Sequence, residues 1–197
     1  MGISGDSIST GLDASGTTQA NPNQFGYAEL VAGELEFDFG APIALDNRSI
    51  PGWSIANGNE DLDNLLKQCP NLIVIAYGMN DVGRRDPKWF KNQLDELIRR
   101  IREYNAYCEI IVVSPMLGNA QWVHTPPEMF ELYRDEMKSV AGEGIAFADV
   151  TKVWAILSRH KHFMDLTGNG LNHPNDFGHR LYAQAILSCL PLDHSRK

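Results

Sequence analysis

Four short stretches hold residues whose types could do chemistry together. In "GDSISTG", residues 5–11, Ser7 follows a glycine turn, where a hydroxyl can stand exposed beside an outward-facing backbone N–H. In "NRSIPGWS", residues 47–54, Gly52 offers a backbone N–H that a ligand can approach closely. In "YGMND", residues 77–81, Asn80 carries a side-chain amide suited to a developing oxyanion. "NHPNDFGH", residues 172–179, contributes His173 and His179. Pro174 keeps His173 out of helical conformation, so its ring belongs to a loop, whereas His179 falls in the opening turns of a helix. His173 is therefore the better base and His179 the better brace. Taken singly, each stretch also reads as an ordinary turn: Gly/Asp/Ser, Pro-Gly, Asn-Asp, or a polar loop with a surface histidine.

What would position these residues is legible in the apolar runs. Leu72 to Ala76, Ile110 to Val113 and Ile145 to Val150 are short, β-branched or aromatic, and end in turns, as strands buried on both faces do. Between them, Asp86 as N-cap and Pro87 at the first helical position open an amphipathic helix with Phe90, Leu94, Leu97, Ile98 and Ile101 on one face. Thr125-Pro-Pro-Glu128 reads as a capping box opening a second helix through Val140. Further helices are expected near Tyr27 to Glu34, Leu62 to Gln68, Val153 to His160 and Phe177 to Leu190. Strands alternating with helices favour βαβ crossovers and an open α/β sheet of four or five strands, whose sites collect in the loops leaving the strands' C-terminal ends. The four stretches fall in such loops. A single domain over residues 1–197 is expected, with a first strand that is short or truncated before the Gly5 turn.

In this order and over nearly the whole chain, "GDSISTG", "NRSIPGW", "YGMND" and "NHPNDFGH" resemble the four blocks of the GDSL esterase family, the SGNH hydrolases. The resemblance implies Ser7 as nucleophile and His173 as general base. It implies the N–H groups of Ser7 and Gly52 and the Asn80 amide as oxyanion donors. It also implies a flavodoxin-like three-layer α/β/α sandwich with a parallel sheet of about five strands, and no metal or organic cofactor.

One position departs from that pattern. Family members usually carry an aspartate three residues before the catalytic histidine, and here that position is Gly170. Three partners for His173 stay open: Asn169, whose amide oxygen can accept a hydrogen bond as asparagine does in Cys-His-Asn sites; Asp165, which keeps a charge and can curl back across "LTGNG"; or a backbone carbonyl, leaving a Ser-His dyad.

Composition narrows the partners. A formal charge of −8 with no basic stripe argues against the phosphate contacts that dominate nucleic-acid affinity. No stretch approaches the roughly 18 apolar residues of a membrane span. With no signal-peptide pattern in the sequence, the chain reads as soluble, cytoplasmic or secreted with its signal removed. Cys69, Cys108 and Cys189 are odd in number and lack metal spacing, so neither a disulfide framework nor a zinc site is expected. Trp53, Met79 and Trp122, with Met116 and His124, are candidates for an apolar and aromatic rim holding a short acyl group or stacking on a sugar. The expected function is a serine esterase on short-acyl esters, acetylated carbohydrate among them. A lysophospholipase or thioesterase of the same family is the nearest alternative. A metallophosphoesterase lacks the dense His/Asp set that two metals require. A non-catalytic flavodoxin-like binding module would be the reading if the blocks were only structural, though no G-x-G-x-x-G or P-loop supports nucleotide binding.

Overall fold

The computed structural model describes residues 1–192; residues 193–197 of the expected domain lie outside the described residues. Five strands, β1 (Gly2–Gly5), β2 (Asp46–Asn47), β3 (Leu72–Ala76), β4 (Glu109–Val113) and β5 (Ile145–Ala148), form one sheet in the order β2-β1-β3-β4-β5. Every pairing is parallel. The apolar runs at β3 and β4 are buried because both faces are covered by helices. α1 (Tyr27–Phe39) joins β1 to β2, α2 (Ile55–Leu66) joins β2 to β3, α3 (Pro87–Tyr104) joins β3 to β4, and α4 (Pro127–Lys138) joins β4 to β5. α5 (Val150–Leu157) and α6 (Asp176–Leu187) follow β5. The chain steps from β1 to β2 in one direction and then reverses through β3, β4 and β5. Right-handed crossovers therefore put α1 on one face and α2, α3 and α4 on the other. The contacts agree: α1 packs on α6, while α2, α3 and α4 pack in series. This is the expected three-layer α/β sandwich.

The strand order reverses between β1 and β3, so the loops leaving them diverge and open a crevice at the top of the sheet. Beneath it lies a continuous core in which Ile3, Ile73, Val74, Leu94, Leu97 and Phe130 are fully enclosed. Truncating one such leucine to alanine costs about 2–5 kcal/mol.

The helix boundaries differ from the sequence expectation for identifiable reasons. α1 runs on past Glu34 to Phe39 and stops where Gly40 adopts φ 65°. α2 begins seven residues before the expected Leu62, because Ser54 and Asn57 form a capping box. Gly58 reads as a turn residue, yet it is the point where this helix presses on Tyr77: a Cβ there would lie 2.6 Å from the tyrosine ring. The Thr125 capping box does not form; Pro126 is the N-cap of α4, and the Thr125 hydroxyl donates instead to the carbonyls of Asn119 and Trp122 at 2.8 and 3.1 Å. β5 ends at Ala148, where Asp149 caps α5 by accepting from the Lys152 N–H. Asp86 caps α3 as expected, accepting from Trp89 N–H with Pro87 behind it.

Candidate active site

Hydrogen bonds tie the four stretches together at the top of the sheet. At the last position of β1, Gly5 must lack a side chain, since a Cβ would sit 2.2 Å from Ser9 Oγ and 3.0 Å from the Ala76 carbonyl. The turn that follows closes on the Asp6 carbonyl, which accepts from Ser9 and Thr10 N–H. Among the described residues the Ser7 N–H enters no backbone hydrogen bond of this turn. Asn47 Nδ2 donates to the Ser9 carbonyl at 2.7 Å, and Ile50 N–H donates to the Gly5 carbonyl at 3.4 Å, bringing the second stretch alongside the first. There Ile50-Pro51-Gly52-Trp53 forms a turn closed by Trp53 N–H on the Ile50 carbonyl, with Gly52 at φ 84°, the left-handed position that a type II turn reserves for glycine.

The third stretch leaves β3 through Gly78 at φ 122°. Asn80 is exposed, and its amide donates to the Trp53 carbonyl at 2.8 Å. An asparagine amide has a second hydrogen, which is thereby held in a fixed direction beside Gly52. Asp81, 2% exposed, anchors the turn: its two oxygens accept from Ile55 N–H at the start of α2 and from Gly78 N–H, at 3.1 and 3.0 Å. Burial pushes its carboxyl up to about 6 in spite of those two bonds.

On the loop before α6, His173 Nε2 lies 2.9 Å from Ser7 Oγ. The distance and the pairing suit proton transfer from a hydroxyl to an imidazole. His179, six residues on, is fully buried; its Nε2–H donates to the Leu12 carbonyl at 3.0 Å and its Nδ1 accepts from Tyr27 N–H at 3.3 Å. Burial holds it below the usual histidine range, so it is a neutral brace.

The candidate partners of His173 separate clearly. Asp165 ends a short 3-10 turn (Phe163–Asp165), and its carboxylate accepts from His162 N–H at 3.1 Å, away from the ring. Asn169 does reach the ring, but with its nitrogen: Nδ2 lies 3.0 Å from His173 Nδ1. Its oxygen accepts from the N–H groups of Leu171, Asn172 and His173. Gly170, in the place of the family's aspartate, has φ 70°, and its carbonyl accepts from Asn119 Nδ2. One carboxylate that sequence reasoning missed is at the ring: Asp13 Oδ2 lies 3.2 Å from Nδ1. Its place in "TGLDAS", six positions after Ser7, puts it on the loop of that serine, but nothing in spacing alone distinguishes such a residue from a turn aspartate.

The expected rim is only partly present. Trp53 and Trp122 are half-buried, and Trp122 meets His124 edge-on at 5.2 Å between ring centres. Met79 is 2% exposed and belongs to the core, as does Met116, whose N–H donates to Tyr182. Residues of an apolar run leaving a buried strand are enclosed before the chain surfaces, which is why Met79 packs inward while Asn80 stands out. A cavity of about 690 Å³ lies at the other end of the sheet, lined by Met1, Asp46, Leu72 and Glu109. Cavity volume and chemistry point to different ends, and the serine–histidine pair decides in favour of the crevice. Among the described residues no cluster of His, Cys, Asp and Glu could hold a metal ion, and no helix is long and apolar enough to cross a membrane.

Comparison with protein families matches residues 3–181 to the GDSL-like lipase/acylhydrolase family. The chain belongs to that family. It is accordingly a carboxylic ester hydrolase, and the GDSL-like fold accounts for the crevice. An acetyl-xylooligosaccharide esterase from Geobacillus stearothermophilus superposes with a TM-score of 0.80 at 21% identity, over 100% of this chain and 95% of that one. A lipase/acylhydrolase from Enterococcus faecalis gives 0.76 at 19% identity, over 95% and 92%. An alpha/beta hydrolase enzyme from the metagenome of Lake Arreo, Spain, gives 0.75 at 24% identity, over 95% and 93%. Comparison with curated proteins finds no match.

Proposed function

We propose that this GDSL-like hydrolase is a serine esterase working through an acyl-enzyme, with Ser7 as nucleophile and His173 as general base. The observation that carries the reading is the 2.9 Å contact between His173 Nε2 and Ser7 Oγ. As Oγ attacks an ester carbonyl, its proton passes to Nε2; the imidazolium then protonates the leaving alcohol, and water repeats the cycle on the acyl-enzyme. The N–H groups of Ser7 and Gly52 and the second amide hydrogen of Asn80 receive the charge that develops on the carbonyl oxygen. The Trp53 carbonyl holds the Asn80 amide in place, so this donor needs no reorganisation during the reaction. Asn80→Ala is expected to lower kcat by about 100- to 1000-fold with little change in KM.

For substrate we propose short-acyl esters, acetylated carbohydrate among them. Support comes from the half-buried Trp53 and Trp122, which offer apolar faces near the crevice, and from the likeness in fold to an acetyl-xylooligosaccharide esterase. The test is a p-nitrophenyl ester series from acetate to octanoate, run beside acetate release from acetylated xylooligosaccharides. Acetate should be the preferred acyl group. A preference for octanoate would overturn the short-acyl assignment and favour a lysophospholipase or thioesterase. A serine-directed phosphonate should label Ser7 and leave a folded Ser7→Ala variant unlabelled; labelling elsewhere, or none, would sink the mechanism.

A further inference from the structure

We propose that Asp13 supplies the carboxylate that orients His173, from the nucleophile's own loop rather than from the histidine's. The proposal rests on the Ser7–His173 reading and adds its third member. A histidine that takes a proton on Nε2 must carry its hydrogen on Nδ1, and that hydrogen needs an acceptor. Among the described residues two side chains reach Nδ1: Asp13 Oδ2 at 3.2 Å and Asn169 Nδ2 at 3.0 Å.

Asn169 cannot be the acceptor. Three backbone N–H groups, of Leu171, Asn172 and His173, converge on its oxygen at 2.9, 3.0 and 3.1 Å, which fixes the amide with its nitrogen toward the ring. A donor facing Nδ1 favours the opposite tautomer, in which Nε2 carries the hydrogen and has no lone pair for the Ser7 proton. Two groups therefore compete at one nitrogen, and only the carboxylate selects the working form. Once Nε2 is protonated, Asp13 also faces a full positive charge across a side-chain pair that is only 25% and 17% exposed.

The backbone is arranged around this contact. Asp13 holds φ 65°, a left-handed conformation that aspartate tolerates better than most residues. Gly168 clears the space: a Cβ there would lie 2.4 Å from Asp13 Cβ. Gly170, where relatives carry their acid, combines φ 70° with only 3.0 Å between a Cβ and the Met164 thioether, so that position is shaped for glycine. During attack the proton moves from Ser7 Oγ to Nε2, the Nδ1–H stays bonded to Asp13, and the carboxylate remains ionised.

The test compares wild type with Asp13→Asn, which keeps shape and suits the same backbone conformation. Asp13→Asn should lower kcat by about 10²- to 10⁴-fold, the upper figure being the serine-protease aspartate-to-asparagine loss, while KM changes little. Nitrogen NMR of the neutral ring should show His173 passing from Nδ1–H to Nε2–H. In the double variant Asp13→Asn/Asn169→Asp, a carboxylate returns to the same nitrogen, with Asn172 free to turn its amide, and at least about tenfold of the lost kcat should return. A folded Asp13→Asn enzyme within about threefold of wild type, an unchanged tautomer, or a folded double variant no better than the single one would each overturn the assignment. Failure of the mechanism itself reads out differently: wild type would then neither turn over esters nor be labelled at Ser7.

Discussion

His173 and His179 grip the same loop from the same segment, and their partners make them opposites. His173 faces Ser7 and Asp13; His179 faces Leu12 and Tyr27, the first of these one residue before Asp13. Both nitrogens of His179 are occupied by backbone groups, a carbonyl and an N–H, in a site without solvent. A proton added to Nδ1 would point at the Tyr27 N–H, so the ring is locked neutral with its hydrogen on Nε2. His173 meets a hydroxyl and a carboxylate, groups that can exchange or stabilise a proton, and 17% of its side chain remains exposed. Ring chemistry is identical in the two cases. What separates the proposed base from the brace is whether the partners can respond to a proton.

The largest expected effect sharpens this contrast on the catalytic side. His173→Ala and Ser7→Ala should each lower kcat by about 10⁵- to 10⁶-fold, and the double variant should be no worse than either, because residues acting as one unit lose their effect together. Thermal denaturation should barely change. If the two losses instead multiply in the double variant, Ser7 and His173 do not act as a pair and the contrast fails at its first member.

His179→Leu probes the other side. The substitution keeps apolar volume but leaves the Leu12 carbonyl and Tyr27 N–H buried without partners, at about 1–3 kcal/mol each. Stability should fall by a few kcal/mol, read by denaturant titration, while the folded fraction keeps kcat within about tenfold of wild type. A stable variant with activity lost as in His173→Ala would mean that His179 is a proton carrier after all.

The different settings of the two rings, one on a loop and one in a helix, were legible before the structure, and the reasons are local. Pro174 excludes helix at His173, and His179 falls in the opening turns of the helix that follows; that it lies on the buried face of α6 came from the structure. The sheet was equally legible, because doubly covered parallel strands such as Leu72–Ala76 read as unbroken apolar runs. The partner of His173 was not. Asp13 and His173 are 160 positions apart and meet only because β1 and α6 deliver their loops to one crevice; no periodicity encodes that. The direction of the Asn169 amide was hidden for a similar reason, since it depends on three N–H groups of a turn whose geometry follows from Gly168 and Gly170. The early start of α2 is hidden in sequence because a glycine required by the Tyr77 ring, Gly58, looks the same as a glycine required by a turn.

The smallest expected effect concerns buried protons that do not take part in the exchange. Asp6, beside Ser7 and 2% exposed, has its carboxyl pushed up to about 7, chiefly by burial and further by the charge of Asp81. Its Oδ1 accepts from Ile8 N–H, which opposes the shift without cancelling it. A carboxyl raised in the folded state gives its full stabilisation at pH below about 4, where folded and unfolded chains are both protonated. As pH rises from there through about 7, the unfolded chain releases the proton first and the folded state loses ground. His179 runs the other way: its folded-state value is lowered, so it costs stability as pH falls below the usual histidine range. Asp6→Asn removes its own slope and leaves those of Asp81 and His179. Relative to wild type, the variant should gain melting temperature between pH 5 and pH 7.5, at about 2–4 °C for each kcal/mol removed. An unchanged difference between the two proteins across that range would show that Asp6 is already ionised in the folded state at pH 5. The contrast between an exchanging and a locked ring would then extend no further than the two histidines.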